Sequence, residues 1–289
     1  MKKQLRKYWI LFLLPTAAAF CIGFIYPFAR GVILSFCRFV TTSDATFNGL
    51  ENYAEAISDP GFLHAFWLTA AFAAVSVVVV NVLAFFIALA LTGALPGANA
   101  YRTVFFSPNL IGGIVLGYIW QLILNGFLAK QGSNLALSAT WGFWGLVAVV
   151  AWQQIGYMMI IYIAGLQSVP ESLYEAAKID GAGKWQTLWR ITLPMVMPSV
   201  TICTFLTLTG LFKLFDQNLA LTAGAPGKLI GGGKTIYLTE LLALNIYNTF
   251  YGTSASRGVG QAKAVLFFIL VAVIALVQLR LTRKKEVQQ

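Results

Sequence analysis

Nearly charge-free apolar runs recur along this chain, and they restrict its fold more than any single motif does. From Phe62 to Leu91 there is no Asp, Glu, Lys or Arg. Comparable apolar stretches run from about Trp9 to Phe36, Thr103 to Leu124, Trp141 to Leu166, Val196 to Phe215 and Ala262 to Leu281. About 20 apolar residues cross the hydrocarbon core of a bilayer as a helix. Inside lipid every backbone N–H and C=O needs a partner within the protein, so only helices and closed barrels span it. The runs are continuous rather than alternating, which selects helices. Composition agrees: 58% of the 289 residues are hydrophobic and 10% charged, with a mean hydropathy of +0.76, whereas soluble domains carry roughly 25% charged residues. The fold class predicted is an all-α membrane protein with six transmembrane helices. A formal charge of +10 would point to nucleic acid in a soluble protein. Here it expresses a basic bias toward one membrane face and attraction to the lipid surface, and no nucleic-acid partner is expected.

Lys2, Lys3, Arg6 and Lys7 precede the first run, and Ala17-Ala18-Ala19 imitates a signal-peptidase site. The apolar run continues past it through Phe20, Ile22, Phe24 and Phe28, so residues 1–61 read as an uncleaved anchor helix with an outer loop. Residues 62–282 hold the remaining spans, and 283–289 form a basic tail. With the N-terminus inside, the inner face collects Lys2, Lys3, Arg6, Lys7, Arg102, Lys178, Lys184, Arg190, Arg280, Arg283, Lys284 and Lys285. The opposite face holds Arg30, Arg38, Lys130, Lys228, Lys234, Arg257 and Lys263, spread over longer loops. The positive-inside rule therefore places both termini in the cytoplasm.

The same topology puts the polar stretch Glu171 to Pro194 on the inner face. Three basic residues (Lys178, Lys184, Arg190) and three acidic ones (Glu171, Glu175, Asp180) fall within it, between almost charge-free flanks. It reads as helix, turn, helix, stop. Ser168 with Glu171, and Ser172 with Glu175, each fit an S-x-x-E capping box. Gly181 suits the left-handed position that ends a helix, and a second short helix through Trp185 and Trp189 closes at Pro194.

No motif offers catalysis or metal binding. Gly227 to Thr235, GKLIGGGKT, imitates a phosphate loop, but Gly227 and Gly233 enclose five residues instead of four and no buried strand precedes them. Cys21, Cys37 and Cys203 lack metal-ligand spacing and read as structural thiols, Cys21 and Cys203 within apolar spans. His64, the one histidine, opens a span and reads as structural.

Glu175-Ala176-Ala177, Asp180-Gly181, then Ile191, Leu193 and Pro194 resemble the EAA loop (170–194) of bacterial ABC importer permeases, in the version of the carbohydrate-uptake, maltose-type branch. The likeness continues in Phe12-Leu13-Leu14-Pro15, Ile25-Tyr26-Pro27, Gly49 to Tyr53, Arg102 to Pro108 and Phe215 to Pro226, over nearly the whole chain. It implies a type I ABC importer permease fold in the bacterial cytoplasmic membrane. The implied partners are a second homologous permease, two cytoplasmic ABC ATPase subunits that bind ATP and Mg, and an extracytoplasmic solute-binding protein. The chain itself would bind no cofactor and catalyse nothing. Glu175, Ala176, Ala177, Asp180 and Gly181 would then be the ATPase-coupling residues, the alanines allowing close approach and Glu175 supplying a charge.

Polar side chains at membrane depth are candidates for the substrate path. Gln153, Gln154 and Tyr157, beside Trp152, offer amides, a hydroxyl and aromatic faces suited to a carbohydrate. Thr207, Lys213 and Asp216 are the corresponding polar candidates in the fifth span. The same residues equally suit contacts with the partner permease, Asn81 is similarly two-sided, and the i,i+3 spacing of Lys213 and Asp216 suits mutual neutralisation. Trp67, Trp120, Trp141 and Trp144 read as an interfacial belt. Gly113 and Gly117 form a G-x-x-x-G that permits close helix packing. A helix over Ile236 to Phe250 is expected in the loop that follows the fifth span, either flat on the membrane or facing the solute-binding protein. Alternatives within the architecture are import of glycerol phosphate or a polyol; outside it, a stand-alone secondary transporter would need an inverted repeat that the sequence does not show.

Overall fold

The computed structural model describes residues 13–93 and 95–283. Lys2, Lys3, Arg6, Lys7, Lys284 and Lys285, on which the orientation partly rests, lie outside the described residues, as does the Trp9 end of the first run. Four continuous helices among the described residues are long and apolar enough to cross a bilayer, and six if each of two bent pairs counts as one span. The chain forms two compact units.

The first unit comprises the chain through Asp59 together with Ile246–Phe268. Helix α1 (Leu13–Leu34) has no buried residue in its most apolar window, so Cys21 is exposed rather than buried. Phe20, Phe24 and Phe28 stack one turn apart along it. Strands β1 (Cys37–Arg38) and β2 (Thr46–Phe47) pair antiparallel, followed by α2 (Glu51–Ser58). Buried Asn52 anchors this turn by donating to the carbonyls of Ser35 and Cys37, each at 2.9 Å. In the first part of α12 (Arg257–Arg283), Lys263 is almost fully buried and its ammonium lies 2.6 Å from the Asp59 carboxylate.

The second unit comprises Pro60–Asn245 and Ile269–Gln289. Its axis is α3 (Pro60–Thr92) against α6 (Ala139–Gln167). Val80, Ala84 and Ala88, four apart on one face of α3, pack with Met158, Met159 and Tyr162 of α6 and Cys203 of α9 (Met197–Phe212). Small residues on that α3 face let the axes approach without relying on a hydrophobic difference from lipid. The Arg102 guanidinium donates to the Leu91 carbonyl at 3.1 Å, satisfying an acceptor freed at the α3 C-terminus.

The third apolar run is not the single helix expected from Thr103 to Leu124. It divides into α4 (Ala98–Phe106), continued by a 3₁₀ turn to Leu110, and α5 (Gly113–Ala129), which meet at 100°. Pro108 has no N–H and Gly112-Gly113 carry no side chains, so the ladder breaks there. Gly156 of α6 lies so close to the Phe105 backbone that a Cβ there would overlap the Phe105 carbonyl. Gly113 and Gly117 do form the close packing face: a Cβ on Gly117 would stand 2.6 Å from Ala220 Cβ of α10 (Asp216–Leu221).

Beyond α10, GKLIGGGKT is the body of a β-hairpin, with β3 (Gly227–Ile230) and β4 (Lys234–Tyr237) in antiparallel register Gly227↔Tyr237. The helix expected from Ile236 therefore starts later, as α11 (Leu242–Gly252), because Thr235, Ile236 and Tyr237 suit a strand and are held by the pairing. His64 Nε2 lies 3.4 Å from the Leu238 carbonyl, a contact that fits a structural role.

Candidate functional site

Two regions of the second unit gather the functional candidates. The first is the hairpin formed by α7 (Glu171–Ile179) and α8 (Lys184–Met195). Its start differs from the double capping box expected. Pro170 is the N-cap, no side chain caps the helix, and the Ser168 hydroxyl donates to the Gly165 carbonyl at 2.7 Å. Pro170, with φ fixed near −59°, takes the N-cap position expected for Ser168.

The hairpin's end follows the sequence closely. Gly181 has φ +72°, its N–H donates to the Lys178 carbonyl at 3.1 Å, and the Ala182 N–H donates to the Ala177 carbonyl at 2.9 Å. Those paired bonds are a Schellman stop, which only a residue without a Cβ adopts without strain. Pro194 does not close α8. A π turn over Leu188–Thr192 absorbs its missing N–H, and the chain bends by 69° into α9 around Val196. The hydroxyls of Tyr174 and Thr192, 3.3 Å apart, link the two arms.

Ala177 faces inward, while Glu175, Ala176, Asp180 and Gly181 are open. Beside them Ile179 is 86% exposed, Trp185 66% and Trp189 61%. An apolar surface on a charged hairpin marks a contact face. Ile179 was not distinguished by sequence reasoning, although an isoleucine amid the charges of an otherwise polar helix is the signal for it.

The second region is the set of polar groups inside the helix bundle. Buried Gln153 donates through Nε2 to the Ile111 carbonyl at 2.9 Å, and Gln217 Nε2 donates to Gln153 Oε1 at 2.6 Å. The acceptor freed by the α4–α5 break thus has a partner inside the protein. Thr207 is buried; its hydroxyl donates to the Cys203 carbonyl at 2.7 Å and lies 3.4 Å from Asn81 Nδ2. The Tyr162 hydroxyl donates to Asn81 Oδ1 at 2.8 Å, so α3, α6 and α9 share one network. Tyr162, Gln121, Gln217 and Asn218 were missed by sequence reasoning. Each is a polar tip in apolar company, which needs a partner when buried. Gln121 donates to the Leu221 carbonyl at 3.0 Å, and Asn218 to the Thr239 carbonyl at 2.8 Å.

Other path candidates are open. Gln154 is half-buried and faces Gly210 of α9, and Tyr157 is 39% exposed. Tyr157 lies on an accessible stripe of α6 with Ile160, Ala164 and Gln167, whereas the exposed Trp141, Trp144 and Trp152 lie on a different side of the helix. The Trp120 and Trp152 rings meet edge to face at 5.6 Å, each midway along its helix, so Trp120 does not occupy a terminal belt. Lys213 and Asp216 are exposed and do not neutralise each other: α9 ends at Phe212 and α10 begins at Asp216, so helical i,i+3 geometry is lost. Among the described residues no three His, Cys, Asp or Glu side chains are grouped to hold a metal.

Long apolar helices, two bent helix pairs and an uncovered polar hairpin define a polytopic membrane subunit. The profile of the binding-protein-dependent transport system inner membrane components matches residues 96–287. The probable starch degradation products transport system permease protein AmyD of Thermoanaerobacterium thermosulfurigenes is 40% identical over 97% of this chain and 95% of its own. The multiple sugar-binding transport system permease protein MsmF of Streptococcus mutans is 30% identical over 99% of each. A chain of a bacterial ABC transporter that imports the acidic polysaccharide alginate superposes with a TM-score of 0.79 at 21% identity over 98% of both chains. The chain belongs to the family of binding-protein-dependent transport system inner membrane components. It has the type I ABC permease fold, is a multi-pass plasma-membrane protein, and is a transport permease rather than an enzyme.

Proposed function

We propose that this chain is the permease subunit of an ATP-driven importer of sugars or oligosaccharides, and that its Glu171–Pro194 hairpin transmits ATPase movement to the substrate path. The carbohydrate class rests on the relatives AmyD and MsmF, whose names specify starch degradation products and multiple sugars. The observation that carries the coupling is the hairpin itself: its Schellman stop fixes α7 while Glu175, Ala176, Ile179 and Trp185 stay uncovered.

In this reading there are six spans, each bent pair counting as one, with both termini and the hairpin cytoplasmic. Residues 1–61 anchor the chain, 62–282 form the permease core and 283–289 are a basic tail. A second homologous permease completes the path, two ATPase subunits bind ATP and Mg, and a solute-binding protein delivers substrate on the far face. Coupling falls to Glu175, Ala176, Ala177, Asp180 and Gly181, with Ala177 seating the helix from within. On the path, Gln154 and Tyr157, one turn apart on α6, offer polar groups, and Lys213 and Asp216 lie near its end. Gln153 and Thr207 hold the path helices in register through the hydrogen bonds described above. Lys213 is the one cation among these candidates, which favours a neutral sugar over a phosphate ester, since phosphate sites converge Arg and Lys donors.

The test is uptake and ATPase co-purification by Glu175→Lys combined with Gly181→Pro in the assembled transporter. Loss of both supports the coupling role, and retention of both refutes it. Uptake by the chain alone in liposomes would refute the ATP-driven reading.

A further inference from the structure

A cavity of about 520 Å³ lies between the last turns of α3 and the two arms of the hairpin. Phe86, Leu89 and Leu188 give it an apolar wall, Trp185 borders it, and Lys178 and Lys184 supply two ammonium groups. Among the described residues no carboxylate lines it, although Glu171, Glu175 and Asp180 belong to the same hairpin. Neither lysine is in an ion pair among the described residues. Leu89 and Phe86 lie about 4.5 and 9 Å along α3 from its last residue, Thr92, at 1.5 Å per residue. The cavity's charges thus stand on the hairpin, and its apolar wall is shared between the last turns of α3 and Leu188 of α8. On the proposed topology, on which this inference rests, that is where the cytoplasmic headgroup layer meets the acyl chains.

We infer that this cavity binds one anionic phospholipid, its phosphodiester against Lys178 and Lys184 and an acyl chain along Phe86, Leu89 and Leu188. Charge selects the headgroup: two ammonium groups without a carboxylate attract a phosphodiester and gain little from a zwitterionic lipid that brings its own cation. The apolar wall selects a lipid over a soluble phosphate, because a headgroup alone would leave that wall wet. Each lysine near an anionic surface contributes about 1 kcal/mol, or about fivefold in affinity. Both together give a preference of about 25-fold by the same rule. The site is additional to the proposed transport function. It bears on that function because the lipid would bridge a membrane-spanning helix and the hairpin, making hairpin position sensitive to membrane composition.

The test uses the full chain, with whatever subunits co-purify, in nanodiscs of phosphatidylethanolamine containing a minor fraction of phosphatidylglycerol. Native mass spectrometry reads the lipid retained. Wild type should keep one phosphatidylglycerol against the bulk excess, and Lys178→Gln with Lys184→Gln should reduce that retention about 25-fold, following the two-lysine rule. Ala182→Trp, which fills the cavity with both lysines in place, should also displace it. Retention by both variants, or retention at the bulk lipid ratio by wild type, overturns the site. Displacement by soluble glycerol phosphate at the concentration that displaces short-chain phosphatidylglycerol would show a free phosphate-ester site and overturn the lipid assignment.

Discussion

Gln153 Nε2 donates to the carbonyl oxygen of Ile111 at 2.9 Å, joining α6 to the corner where the third apolar run turns through 100°. The side chain is thereby part of the backbone's hydrogen bonding. Gln153→Leu keeps the volume and removes the donor, exposing the Ile111 acceptor and the Gln217 amide to unmet desolvation of about 1–3 kcal/mol each. Thermal unfolding of the purified transporter should show a clear loss for Gln153→Leu and little change for the half-buried neighbour in Gln154→Leu. Equal melting temperatures would show that the corner does not need the bond.

Gly156 is where the same corner touches α6 through backbone. A Cβ there overlaps the Phe105 carbonyl, and backbone has no rotamer to yield. Gly156→Ala should cost at least about 1–3 kcal/mol, as overpacking does, and reduce the folded fraction on size exclusion. Gly126→Ala is the contrast, because a Cβ there meets nothing within 4 Å. It should be neutral or stabilising by up to about 1 kcal/mol, the helix-propensity difference.

Both effects show why the sequence reading succeeded in one place and not another. The apolar runs fixed the existence of the helices, and Gly181 at the end of a polar helix announced a stop that depends only on local conformation. The corner depends on Pro108, Gly112, Gly156 and Gln153 together, residues separated by up to 48 positions, and no local period reports such an arrangement. Gln153 and Gln154 look equivalent as text, yet 100° of helical rotation makes one a tie and leaves the other half-open. The late start of α11 has a similar cause, since β4 claims Lys234–Tyr237 only through pairing with β3.

Lys263 and Asp59 form a contact 2.6 Å long in the first unit, with Lys263 side-chain exposure of 2% and Asp59 of 28%. Lys263 also donates to the Thr249 hydroxyl at 2.8 Å. Removing one partner of a buried pair costs more than the pair itself contributes. Lys263→Met and Asp59→Asn should therefore each lower stability, with the double variant losing less than their sum. Coupling of about 0.5–3 kcal/mol is expected for groups in direct contact. A double-mutant cycle on thermal or denaturant unfolding measures it, and strict additivity would contradict the pairing.

Asp44 gives the first unit a predictable acid response. The Thr41 N–H, 2.7 Å from its carboxylate, and the Val40 N–H at 3.1 Å hold the Asp44 pKa below its ordinary value. Because the folded value is the lower one, the stabilisation is complete above the unfolded value near 4 and disappears as pH falls through the folded value. Amide exchange at Val40 and Thr41, corrected for intrinsic rate, should lose protection only on that acid side. In Asp44→Asn the acid step should vanish, and its persistence would place the titrating group elsewhere.

The transport-path assignment separates by the same distinction between tie and surface. Thr207 is buried, with its hydroxyl committed to the Cys203 carbonyl and 3.4 Å from Asn81, whereas Tyr157 lies on the accessible α6 stripe and contributes little to the core. Thr207→Val should lower melting temperature by the equivalent of about 0.5–1.5 kcal/mol, the net worth of one hydrogen bond, and leave the KM for uptake close to wild type. Tyr157→Ala and Gln154→Ala should do the reverse, leaving the melt unchanged and weakening uptake severalfold, because a lost hydrogen bond or aromatic contact to substrate costs binding of similar size. Uptake by the assembled transporter, measured against sugar concentration beside melting curves of the same preparations, distinguishes the two behaviours. If Tyr157→Ala and Gln154→Ala leave KM and maximal rate untouched, the open stripe is a subunit contact and the sugar passes along another face.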